Sequence, residues 1–169
     1  DSAEYYLTFH VLNAKPKITE INFTNKTVTG TATYVSGTWN PSATQAWVRD
    51  GGTNYGNFTL TATVTGGAYR AMHTDWTANL QPLLGGTGSA NTAVVPTAVS
   101  SGSGSNESLI WTLTWTGVIP ASVANAWSNS QILQIPITII TQDGTPAAHT
   151  ETKSINIMVD KSAPVVSTT

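Results

Sequence analysis

Apolar and polar residues alternate with a period of two along most of the chain. Leu7, Phe9 and Val11 form one such run, followed by Val28, Gly30, Ala32 and Tyr34, and by Phe58, Leu60, Ala62 and Val64. The pattern returns at Leu109, Trp111, Leu113 and Trp115, at Leu133, Ile135, Ile137 and Ile139, and at Ile155, Ile157 and Val159. Every second side chain of a strand lands on the same face, so each run predicts a half-buried strand, and about nine strands result. Thr fills most of the outward positions, where its branched hydroxyl side chain suits the pleated backbone and tolerates water. Asn25-Lys26, Gly51-Gly52, Gly66-Gly67, Gly85-Gly86 and Asp143-Gly144 supply turn residues between the runs. Residues 120–127 could start a helix at Pro120, but the stretch is about two turns long and lacks an apolar stripe, so it reads as a loop with a helical turn. Residues 85–106, rich in Gly, Ser and Ala, read as a long loop. Many short strands and no helices predict an all-β, antiparallel sandwich of Ig-like or Greek-key type, with an arm at 1–14 and a single domain at 15–169.

Composition narrows what such a sandwich can do. Only 9% of the 169 residues are charged, against roughly 25% in ordinary soluble domains, while Thr and Ser supply 44. Seven basic and nine acidic side chains leave a net charge of −2, which gives no electrostatic footprint for nucleic acid or an anionic membrane surface. No apolar run approaches the roughly 20 residues of a membrane span, so no membrane insertion is expected. The chain has no Cys, which removes disulfides, thiolate metal sites and thiol nucleophiles together. A Thr-rich, Lys-poor β chain of this kind suits the cell exterior, and Asp1 reads as a processed N-terminus.

The two ends of the chain echo each other. Aligning Pro16 with Pro164 superposes Leu7, Phe9 and Val11 on Ile155, Ile157 and Val159, so both ends read strand, linker, Pro, strand. The C-terminal copy, with Val159-Asp160 followed by Ala163-Pro164 and preceded by the Thr141 to Gly144 turn, resembles the boundary between tandem Ig-like repeats of bacterial surface adhesins and S-layer proteins. The resemblance covers about 30 residues. The N-terminal copy departs from it, having Leu12 where the repeats carry Asp. The resemblance implies a β-sandwich at the cell surface whose partners are adjacent Ig-like modules or copies of itself.

Candidate chemistry is sparse. His10, His73 and His149 are scattered, and no carboxylate pair, phosphate loop or nucleophile elbow occurs, so no enzymatic role is expected. The inter-module joints of such repeats often resemble calcium sites, which directs attention to Asp143 and Asp160, although Ca2+ wants six to eight oxygens. Lys17, Glu20 and Asn156 have the residue types of an intramolecular isopeptide crosslink, but Asn156 alternates away from the core. Asn22, Asn25, Asn57 and Asn106 each open an Asn-x-Ser/Thr sequon, and the first two flank a hairpin where a glycan would be accessible. Trp111 and Trp115 read as core. Trp39, Trp47, Trp76 and Trp127 fall near turns, where flat rings could form a carbohydrate platform.

These readings give three expectations of function. The first is a non-enzymatic structural subunit of an extracellular filament, pilus or surface assembly. In it the N-terminal strand, through Tyr5, Leu7, Phe9 and Val11, completes the sheet of a neighbouring copy. The second is an Ig-like spacer or adhesive module of a larger surface adhesin, and the third is a carbohydrate-binding module. No cofactor is expected beyond the calcium just considered.

Overall fold

The computed structural model describes residues 17–25, 28–35, 38–40, 46–49, 56–65, 76–102, 110–140 and 150–161. In chain order these hold β1 (Lys17–Asn25), β2 (Val28–Val35), β3 (Thr38–Asn40), β4 (Ala46–Arg49), β5 (Asn57–Thr65), β6 (Thr77–Ala78), α1 (Gln81–Leu84), α2 (Ser89–Thr92), β7 (Thr97–Ser101), β8 (Ile110–Val118), α3 (Ala121–Ala126), β9 (Ile132–Ile140) and β10 (Thr150–Asp160). They form an all-β sandwich. One sheet has six strands in the order β3-β2-β1-β5-β8-β7, and the other has four in the order β4-β10-β9-β6. All described pairings are antiparallel except β4 with β10, which is parallel.

The alternation seen in the sequence decides which side chains meet between the sheets. Phe58, Leu60, Ala62 and Val64 of β5 and Leu113 and Trp115 of β8 are buried from one side, and Leu133, Ile135, Ile137, Ile139, Ile155, Ile157 and Val159 from the other. In β1 the buried apolar residues are Ile18, Ile21 and Phe23, a spacing that strict alternation forbids. A bulge between Ile18 and Glu20 absorbs the extra residue and returns Ile21 and Phe23 to the core. Phe23 then stacks on Phe58, with ring centroids 6.0 Å apart. Gly117 of β8 faces Phe58 across the ladder and leaves the space that ring occupies.

The outer face of the six-stranded sheet is a lattice of hydroxyls. Thr24, Thr59 and Thr116 form one row across β1, β5 and β8, and Thr31, Asn22, Thr61, Thr114 and Thr97 form the next across five strands. Thr33, Glu20, Thr63 and Thr112 form a third. Within the second row the Thr31 hydroxyl donates to Asn22 Oδ1 at 2.6 Å, and the Asn22 amide donates to Glu20 Oε1.

Residues 85–106 are not the structureless loop the composition suggested. Their described part contains α2 and β7, and Val94 bridges Ala78 through reciprocal backbone hydrogen bonds of 3.0 Å. β7 carries Ala98 inward opposite Leu113, a weak apolar signal that Gly and Ser on either side obscured. Residues 120–127 hold the single short helix α3. Among the described residues no helix is long and apolar enough to cross a membrane.

Candidate functional site

Tryptophan is the side chain with the widest choice of roles in this sequence, and the burial of the described indoles limits which of those roles each can take. Trp76 is 0% exposed and Trp127 is 7% exposed, so neither is an open carbohydrate platform. Trp39 is half-buried against the core. Trp47 lies in β4, in register with Met158 of β10. The sequence places Trp76 and Trp127 near turns as candidate platforms, and the structure corrects this. Both belong to the core cluster, where large rings fill volume that smaller side chains would leave empty. Trp76 meets Trp111 edge to face, with centroids 5.4 Å apart and planes at 82°.

Three of the indoles also donate to backbone carbonyls. Trp39 Nε1 donates to Ser154 O at 3.0 Å, tying β3 at one flank of the six-stranded sheet to β10 of the other sheet. Trp115 Nε1 donates to Val94 O at 2.7 Å, tying β8 to the segment bridged to β6 at the opposite flank. Trp76 Nε1 donates to Ile140 O at 3.2 Å, at the end of β9. An indole N–H removed from water needs an acceptor: Trp39 and Trp76 take strand carbonyls, and Trp115 shares Val94 O with Ala78 N.

Strand pairing closes this edge of β9 over only half its length, and α1 lies against the strand beyond it. Thr77 and Ala78 pair with Thr138 and Ile137, Asn79 N donates to Pro136 O at 2.9 Å, and Trp76 covers Ile140. Pro136 has no N–H to offer on that side, which suits a strand with an incomplete neighbour. From Ile132 to Ile135, no described strand pairs with this edge. Leu133 and Ile135 are buried there, while Ile132 points outward and is 54% exposed. The start of β9 is itself held firmly. Ser130 N donates to Val159 O at 2.7 Å, Val159 N to Gln131 O at 2.8 Å, and Lys161 N to Asn129 Oδ1 at 2.7 Å.

The other candidate residues do not converge. Tyr5, Leu7, Phe9, Val11, Asp143, Asn106 and the three histidines lie outside the described residues. Asp160 is half-buried at the end of β10, and the described residues hold no group of three or more His, Asp or Glu that could bind a metal. Lys17 is exposed beside buried Ile18, whereas Asn156 sits between buried Ile155 and Ile157 on the other sheet's outer face, so the isopeptide trio is not assembled. The two hairpin sequons are not the accessible sites their position suggested. Both ends of the Asn22 amide are engaged, and Asn25 is 5% exposed because it takes the inward position after Phe23. Asn57 is exposed at the start of β5. No family model, no curated protein and no solved structure matches the chain.

Proposed function

We propose that the protein is a non-enzymatic structural subunit of an extracellular filament or surface assembly. In this reading the arm at residues 1–14 of one copy adds a strand to a sheet edge of the next. The observation that carries it is the edge of β9 away from β10, where no described strand pairs with Ile132 to Ile135 and the short α1 lies against the strand instead, while the other half is held by Thr77 to Asn79 and Trp76. A strand laid there would take the place of α1 beside β9, and its backbone would pair with the N–H and C=O groups of this stretch that face away from β10. The arm has the pattern for the role. Tyr5, Leu7, Phe9 and Val11 fall on one face of an extended chain, so a docked arm would present all four to the same side. Because the core between the sheets is already filled by the protein's own side chains, main-chain pairing and contact with exposed Ile132 would guide the docking.

Deleting residues 1–14 tests the reading. The intact chain is expected to form assemblies visible by negative-stain electron microscopy and sedimenting as high-mass species. The shortened chain is expected to sediment as a monomer or dimer with unchanged circular dichroism. Filaments of the same length and abundance from the shortened chain would overturn it.

A further inference from the structure

The four sheet edges are not equally guarded. β6 has two residues and is bridged to Val94, β3 has three and is fastened through Trp39, and β4 has four and includes the charged Arg49. β7 has five residues, the longest of the edges, and its ladder with β8 runs without a bulge from Thr97 opposite Thr114 to Ser101 opposite Ile110. Natural edge strands are kept apart by charges, Pro, bulges or short length. The β7 sequence TAVSS has none of these. Between Trp76 and Thr150 the chain contains no Lys or Arg and only two acids, Glu107 and Asp143, so charge repulsion from neighbouring strands is also small. Val99, 63% exposed, projects from the outer face of β7, and exposed Ile110 lies diagonal to it on β8. Among the described residues no strand pairs with the outer side of β7, and an uncharged, unbulged edge with an apolar residue at its midpoint is built to be covered.

We infer that β7 pairs antiparallel with β7 of a second copy, joining the two six-stranded sheets into one across a twofold axis at Val99. Antiparallel pairing of identical edges is isologous, so a single strand sequence supplies both sides. The register that uses all five residues sets Val99 against its equivalent, Thr97 against Ser101, and Ala98 against Ser100. No charge meets a like charge in it, and the outer-face valines cover each other at the axis. A second copy suits this edge better than an unrelated strand, because its neutrality excludes selection by charge while a copy necessarily presents the same unguarded partner. The inference is independent of the arm at residues 1–14, which concerns the other sheet.

The absence of Cys allows a direct test. Val99→Cys places one thiol on each side of the axis, within the Cβ separation that a disulfide spans in directly opposed strands. Under mild oxidation the full chain with Val99→Cys is expected to form a covalent dimer in high yield. Val118→Cys, equally exposed but on β8, is expected to give only trace product. Val99→Lys, at an exposed position that the fold does not need, is expected to weaken self-association in sedimentation equilibrium by about tenfold or more. The same crosslink is expected in the chain lacking residues 1–14, which separates this contact from strand donation by the arm. Equal crosslinking at positions 99 and 118, or loss of the Val99 crosslink when the arm is removed, would overturn the inference.

Discussion

Replacing Gly117 by Ala tests whether the core is packed as tightly as its geometry indicates. A Cβ at this position would lie 2.7 Å from Phe58 Cε1 and 2.9 Å from Cζ, whereas carbon atoms in contact prefer about 3.5–4.0 Å. The ring would have to retreat by about 1 Å. It has little room, since Phe58 is buried and stacked on Phe23, which is itself buried. Overpacking of this kind costs about 1–3 kcal/mol, and removing Gly from a strand interior returns about 0.5–1 kcal/mol. The net expectation is a loss of about 1–2 kcal/mol. In a chain of this size that lowers the midpoint of thermal unfolding by about 3–6 °C. Urea unfolding followed by both Trp fluorescence and circular dichroism would measure it, provided the two probes coincide. Phe58→Leu should relieve the clash, so the double variant should be more stable than the sum of the single changes implies, by about 0.5 kcal/mol or more. A Gly117→Ala protein as stable as the parent, or strictly additive effects with Phe58→Leu, would refute the packing argument.

Two further substitutions separate roles that burial alone leaves merged. Trp115→Phe removes the bond to Val94 O while keeping an aromatic ring, and should cost about 2 kcal/mol in urea unfolding, with faster amide exchange at Ala78 and Val94 if the indole fastens that flank. Unchanged exchange there would show that it does not. Asn25→Leu exchanges a buried amide whose Oδ1 has no hydrogen-bond partner for an apolar group of similar size, so stability should hold within about 1 kcal/mol or rise. A loss beyond about 2 kcal/mol would mean that the amide is needed.

Long alternating runs made the two sheets legible before any coordinates, because at Phe58 to Val64 and Leu133 to Ile139 one face of the strand is wholly buried and the other is not. Thr at the outward positions reads the same way. The bulge in β1 was harder to read, since Ile18 and Ile21 violate alternation and a bulge leaves no composition signal of its own. β4 has no signature of its own in the sequence, because a four-residue parallel strand owes its place to pairing with β10, which lies more than a hundred residues later. β7 was hidden because an edge strand with a single inward Ala has almost no periodicity to detect. The candidate site suffered most from this limit. Trp76 and Trp127 sit beside turn residues in sequence, and whether a ring at such a junction folds inward depends on how far the opposing sheet reaches, which is a property of the whole sandwich.

The threonine face of the six-stranded sheet has an entropic consequence. A surface of Lys and Glu moves freely, and immobilising each long side chain against a partner costs about 0.5–1.5 kcal/mol of conformational freedom. Thr has one side-chain torsion that places its heavy atoms, and branching at Cβ already narrows it within a strand. The rows through Thr61 and Thr63 therefore present methyl and hydroxyl groups that are nearly fixed before anything touches them. Whatever lies against this face stills very little that was moving. Contacts too small to hold a flexible charged surface together can then persist, and they do so with little dependence on salt.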